Sequence, residues 1–476
     1  MALISPSNLL KLHAAGKRQI GGLGDYASPR YSIKPKGGEP IIPDPLLFNT
    51  LPTGPGPGGL PTVSECAVHL CMLQAFYKLR RDVVHSKELD NAFGIVPKPR
   101  TVYGRKWEGT KYVAEKKRIK DDTFETRRRD KWESFLLVAA VRFHEWIKMV
   151  DMHLGEAASG SSQYFLLPPI DILAIWHAFL LNCDDFKGYC ERRNLRYIHG
   201  IAFPWAEIHA AIDCNTWTYT LPEDHSDWLF KTAKIHPSLY DGLAEVGKAK
   251  TRLQAIFSVV SSFASSSKED SSHPLNKTME TAELNKTENM PLVANVQRQC
   301  IFVDKMHAHR WIRSPAAEGT LRRAVDRYDK FLHLFHLYPN RFLVPTLDVD
   351  LVWHTHQCSA DNYRTFVTER VGRFINHEDK IGRGTLDDGF SSAEELYRLQ
   401  YGMQYQVCLC WSCEAILSEV EKLDDLDDET QVELAKDIEH KLHYYRELEI
   451  SRRLDRDLPI WKHRQKGQDQ WNDVWT

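Results

Sequence analysis

Two groups of residues in the second half of the chain carry ligand chemistry. Cys408-Leu409-Cys410-Trp411-Ser412-Cys413 places three thiols within six positions, and Cys410 and Cys413 have the two-residue gap that lets both sulfurs reach one tetrahedral ion. Cys408 supplies a third donor. A structural zinc needs a fourth, and His356, His354, Cys358 and His377 are the nearest candidates along the chain. The spacing is one half-site rather than two paired halves, and zinc is the favoured ion because mixed thiolate and imidazole sets suit it. The competing readings are three reduced cysteines in a tight turn, or a redox or iron-sulfur use.

The second group is Leu347-Asp348-Val349-Asp350-Leu351-Val352-Trp353-His354-Thr355-His356, which has an imperfect copy at Ile170-Asp171-Ile172-Leu173-Ala174-Ile175-Trp176-His177-Ala178-Phe179. The first aspartate, the tryptophan and the first histidine recur, which reads as scaffold. Asp350 and His356 do not recur, which reads as a site. Period decides what they can do. As a strand, the run puts both imidazoles on one face; as a helix, His354 and His356 point about 200° apart while Asp350 and His354 stand one turn apart. The upstream copy is almost continuously apolar over twelve residues and follows Pro168-Pro169, so the spacing predicts helices in both places. On that reading His356 replaces a buried aromatic, Phe179, and Asp348 and Asp171 are helix-start carboxylates. A facial triad of two histidines and one carboxylate would need the strand geometry instead.

The elements that must position these residues are mostly helical. Thr62 and Glu65 form a capping-box pattern that opens a helix with Cys66, Leu70, Leu73 and Tyr77 on one face. Helical patterns follow from Trp132 to Val150, Leu321 to Leu337 and Glu421 to Arg453. The last has an apolar stripe of Leu434, Ile438, Leu442, Tyr445 and Leu448, too short for a coiled coil and suited to docking on the domain. The expected fold is mainly α, with two related helical domains from an internal repeat. Residues 1–60 read as a disordered glycine- and proline-rich arm, 61–257 as the first domain and 258–292 as a serine-rich linker. Residues 293–420 read as the second domain and 421–476 as a charged C-terminal helix and tail.

Composition narrows the function classes. The chain has 476 residues, a net charge of -2 and 26 % charged residues, so no global field draws nucleic acid or membrane. Residues 98–131 hold thirteen Lys or Arg among six acids, with Tyr103, Trp107 and Tyr112 interleaved. This superficially resembles a nucleic-acid surface, but solvated basic helices and loops are the stronger reading. No membrane span or signal peptide is read, and ten cysteines, seven scattered and three clustered, do not form a small disulfide framework, so an intracellular, cytoplasmic location is expected. There is no Walker loop and no Gly-x-Ser-x-Gly elbow.

Val344 through His356 resembles the glycine-rich domain-containing protein-like family. So do Met306-His307-Ala308-His309-Arg310-Trp311-Ile312-Arg313-Ser314-Pro315, Cys408 to Ala415, and Phe203-Pro204-Trp205 with Ala211-Ile212-Asp213. The likeness covers about residues 62 to 420 and is nearest the fungal branch, which lacks the glycine-rich tail of plant relatives. It implies a mainly helical protein. Plant relatives are linked to development, stress and RNA-related roles, and some fungal relatives carry dioxygenase-like names.

Three functional readings stay open. The first is a binding or scaffold protein, for a protein or small-molecule partner, with zinc on Cys408, Cys410, Cys413 and a histidine, His356 or His354. The second is a metal-dependent enzyme, hydrolase or non-haem iron oxygenase-like, using Asp350, His354 and His356. The third is a metal-free interaction protein. Whether the chain is an enzyme is left open.

Overall fold

The structure is a computed structural model that describes residues 40–51, 59–158, 165–260, 274–376, 383–422, 428–454 and 456–461. The expected N-terminal arm thus lies largely outside the described residues. The helices expected from sequence are present, except that the C-terminal one, expected from Glu421, is described from Asp428, and Glu421 caps the helix before it. The chain enters α1 (Val63–His85) through the anticipated capping box: Glu65 Oε2 accepts from the Thr62 amide at 2.7 Å and Thr62 Oγ1 from the Glu65 amide at 3.1 Å. A short α2 (Lys87–Ala92) follows, capped by Ser86, and then strands β1 (Arg100–Trp107) and β2 (Tyr112–Ile119). After them come α3 (Phe124–Ala158), α4 (Ile170–Leu180), α5 (Cys183–Arg193) and α6 (Trp205–Ala211). The two-residue strands β3 (Ile212–Asp213) and β4 (Thr218–Tyr219) pair antiparallel and precede α7 (Glu223–Lys231) and α8 (Leu239–Val260). Next are α9 (Pro274–Leu284), α10 (Lys286–His309), α11 (Ala317–Leu337) and α12 (Leu347–Gln357). The chain closes with α13 (Ala360–Val371), α14 (Arg383–Tyr401), α15 (Trp411–Val420) and α16 (Asp428–Leu454).

Two features differ from the sequence reading. Residues 274–292, expected as linker, are helical: Pro274 sits at the first position of α9, where its missing amide costs nothing, and Leu275, Ala282, Leu292 and the side chain of Asn289 are buried. Serine and lysine content masked a sparse apolar stripe. The basic stretch expected as helices and loops contains an antiparallel hairpin, β1 with β2, paired from Arg100 opposite Ile119 to Trp107 opposite Tyr112. Nearly all of it is exposed.

Two compact units emerge, and neither is contiguous, in contrast to the division read from the sequence. Of the described residues, one takes those up to Ala75, Phe179–Thr220 and those from Arg298 onward; the other takes those within Phe76–Ala178 and Leu221–Gln297. In the second unit the core is aromatic around Trp146, whose ring lies 5.3 Å from Trp176, and Phe165 stacks on Trp176 at 5.6 Å. Buried Lys131 donates to Asp90 at 2.6 Å and to the Ser86 carbonyl at 2.7 Å, tying α3 to the start of α2. In the first unit Phe331, Phe335, Trp353 and Tyr405 interlock, with Trp353 5.8 Å from Phe331 and 6.2 Å from Phe335. The stripe of α16 docks as expected: Ile438, Leu442, Tyr445 and Leu448 are buried against Trp411, Ala415 and Ile416, with Leu434 at the margin. No helix among the described residues is long and apolar enough to cross a membrane.

Candidate metal centre

Cys408 and Cys410 lie in the loop after α14, and Cys413 lies in the first turn of α15, where Cys410 is the N-cap. That loop is held from beneath by its aromatic and carbonyl groups. Buried Tyr405 donates to the Val344 carbonyl at 2.7 Å, and Arg327 donates to the Tyr405 carbonyl at 2.6 Å. Two indoles then cross between segments: Trp311 Nε1 donates to the Leu409 carbonyl at 2.9 Å, and Trp411 Nε1 donates to the His309 carbonyl at 2.8 Å. This reciprocal latch fixes the end of α10 beside the cysteines. Arg310, in the left-handed region at φ 50°, completes it by donating to Glu449 of α16 at 2.7 Å and to the His307 carbonyl at 3.0 Å.

The three sulfurs lie within 4.8 Å of one another, the one such His, Cys, Asp or Glu group among the described residues. Around a zinc with Zn–S bonds of about 2.3 Å, tetrahedral sulfurs are about 3.8 Å apart, so the trio needs only small rotations to close on an ion. Cys410 is the natural thiolate: the Cys413 thiol hydrogen-bonds to it and backbone donors at the start of α15 assist, bringing its thiol down to about 4. Cys413 is pushed up by sharing that hydrogen bond, and Cys408 is raised by partial burial. Two basic groups interact electrostatically with the thiolate, and the His309 ring lies outside the three-cysteine group itself. His309, lowered by burial and so held neutral, feels the Cys410 charge, and its ring sits 5.2 Å from that of Trp311. Arg446 of α16 also feels Cys410 and donates to Ser412 at 2.7 Å. Neither His309 nor Arg446 carries ligand spacing to the cysteines in the sequence, although His309 lies within one of the family-like stretches. The link between residues 309 and 410 is tertiary.

The histidines of the repeated motif stand elsewhere. Both copies are helical, as expected, and neither His354 nor His356 belongs to the cysteine group. His354 Nε2 lies 3.3 Å from Asp350 Oδ1 one turn back, and its ring packs 4.5 Å from Phe302. His356 is buried among Tyr328, Tyr363 and Phe366, with the last two ring centroids at 5.2 Å, and its Nδ1 lies 3.1 Å from the Tyr328 hydroxyl. Phe179 meets Phe186 and Tyr189, also seven and ten residues on, at 5.3 Å each. The imidazole therefore does fill an aromatic's place. Burial alone pulls its pKa down to about 3. Cys358 is buried at the end of α12, and His377 lies outside the described residues.

The shared aspartates prove to be buried ion-pair partners as well as helix-start residues. Arg142 Nε donates to Asp171 at 2.8 Å and Arg327 Nε donates to Asp348 at 2.7 Å, each arginine coming from the long helix before the motif. The first histidine of each copy also packs on a phenylalanine, His177 on Phe76 at 5.6 Å and His354 on Phe302 at 4.5 Å.

Residues 258–366, which include α12 and the end of α10, match the family model described as glycine-rich domain-containing protein-like. The chain is similar to glycine-rich domain-containing protein 1 of Arabidopsis thaliana, 27 % identical over 260 residues, and to glycine-rich domain-containing protein 2 of the same plant, 25 % identical over 251. These matches cover 52 % and 50 % of this chain and 26 % of each relative, so the chain spans about a quarter of the curated relatives it matches. No solved structure matches it. The matched stretch contains His309, Arg327, Asp348, Asp350, His354 and His356, whereas the three cysteines lie beyond it.

Proposed function

We propose that this protein is a binding or scaffold protein of the GRDP-like kind in which Cys408, Cys410 and Cys413 hold one zinc ion, with His309 as the fourth donor. The observation that carries this reading is the convergence of three sulfurs within 4.8 Å on a loop latched by Trp311 and Trp411. Neutral His309 has the protonation state a ligand needs, and Arg446 offsets the net negative charge of three thiolates on a dication. The ion would supply cross-linking of the α10 end, the loop and α15. A reducing, cytoplasmic setting is part of the reading, because these thiols must stay reduced to bind.

The enzymatic alternative on Asp350, His354 and His356 is disfavoured by the helical geometry. His356 is enclosed by aromatic rings and its neighbour in the motif turns to Phe302. Elemental analysis of the purified full chain is the test: about one zinc per chain is expected. Cys410→Ser should remove it, His309→Ala should weaken it, and His356→Phe should leave it in place. Zinc-free protein that gains none on titration, or zinc lost in His356→Phe and retained in Cys410→Ser, rejects the site.

A further inference from the structure

A second thiol pair lies apart from the candidate metal centre. Cys71, buried on α1, and Cys214, half-buried in the turn between β3 and β4, place their sulfurs 3.6 Å apart although 143 residues separate them in sequence. None of the ten cysteines, all of them among the described residues, is in a disulfide.

The turn that presents Cys214 is braced on all sides. Asp213 accepts from the Asn215 amide at 2.9 Å and from the Thr216 hydroxyl at 2.7 Å. Arg313, itself buried, donates to the carbonyls of Cys214 at 2.6 Å and Asn215 at 3.1 Å, and its guanidinium lies 4.3 Å from the centre of the Trp217 ring. Trp217 holds a left-handed φ of 59°, a conformation that the closed turn must impose on so bulky a residue. A buried cation and a strained tryptophan are thus spent on fixing one thiol against another.

We propose that Cys71 and Cys214 are a modification site at which a hydroperoxide drives reversible disulfide formation. Cys214 is the attacking sulfur because it is the more exposed of the two. Its thiol is brought down to about 6, first by the hydrogen bond from Cys71 and then by His209 and Arg313, while burial raises Cys71. The Cys214 thiolate attacks one peroxide oxygen; the O–O bond breaks, and the departing hydroxide takes up the proton that Cys214 released, leaving as water. Cys214 is then a sulfenic acid. The Cys71 sulfur attacks the Cys214 sulfur, the S–O bond breaks, and the Cys71 proton leaves with the hydroxyl as a second water. Two thiols lose two electrons, the peroxide gains them, and the S–S bond forms. The sulfurs must close from 3.6 Å to about 2.05 Å to form the bond. A dithiol reductant reverses the step by exchange.

The test treats the full chain with a small excess of hydrogen peroxide, blocks remaining thiols with iodoacetamide and maps peptides without reduction. A peptide linking Cys71 to Cys214, lost on adding dithiothreitol, is expected. Cys71→Ser should stop the reaction at a Cys214 sulfenic acid trapped by dimedone, and Cys214→Ser should leave Cys71 alkylatable only after unfolding. Wild-type protein alone decides the matter if either variant fails to fold. Peroxide that oxidises Cys408, Cys410 or Cys413 while Cys71 and Cys214 remain unlinked would overturn the proposal, as would Cys214 paired with any other cysteine.

Discussion

His356 occupies an aromatic slot while keeping a titratable ring, and this gives it a measurable signature. Its pKa falls from 6.5 to about 3 on burial. Between those values the unfolded chain binds a proton that the folded chain refuses, so its effect is to lower stability as pH falls from 6.5 toward 3 and to leave it unaffected above that window. His356→Phe, which copies the aromatic at Phe179, is expected to flatten the dependence of unfolding free energy on pH between 4 and 6 by about 1.4 kcal/mol per pH unit, one proton's worth. Urea titrations at several pH values check this; an unchanged slope would place the proton elsewhere. Much at this scale was legible in sequence. The aromatic role of His356 and the pairing of Asp350 with His354 both follow from helical spacing. The Arg327 and Arg142 partners of Asp348 and Asp171, and the approach of His309 to Cys410, were not legible, since each joins positions that only packing between helices brings together.

At the level of elements, the two Arg–Asp pairs are buried ties between a long helix and the start of the motif helix. Removing one partner strands a charge away from water, so Asp348→Asn and Asp171→Asn should each lower stability by about 3 to 5 kcal/mol. Replacing both members of a pair by apolar residues of similar size should recover most of that loss, which denaturant midpoints would show. A different constraint acts where α2 meets α8. A Cβ on Gly247 would stand 1.9 Å from the Glu88 carbonyl oxygen, so Gly247→Ala forces the helices apart. We expect a net loss of about 1 to 3 kcal/mol although alanine is the better helix former; a variant as stable as wild type would mean that the helices tolerate separation. The hairpin shows why one element escaped the sequence reading. Thr101, Tyr103, Arg105 and Trp107 share a face with Arg118, Lys116, Ala114 and Tyr112, while Val102 and Lys106 share the other with Lys117 and Val113. Both faces are wet, so no apolar alternation marks them as strands.

For the whole molecule, the discontinuous units limit what can be cut out. Residues 258–366 match a family model, yet they draw on both units, and Thr355 within them pairs with His69 at 2.8 Å. A fragment of those residues alone is expected to lack a cooperative unfolding transition and near-ultraviolet circular dichroism, whereas the chain from residue 40 to 461 should show both. The repeat suggested contiguous domains because sequence similarity follows local helices, while unit boundaries follow long-range contacts. The same interleaving sets a clock during synthesis. His69 and Thr355 are 286 residues apart, so at translation rates of about 5 to 20 residues per second α1 waits roughly 15 to 60 s for the partner of its buried imidazole. Through that interval Cys66, Leu70 and Leu73 of α1, all buried in the folded chain, await the later segments of their own unit.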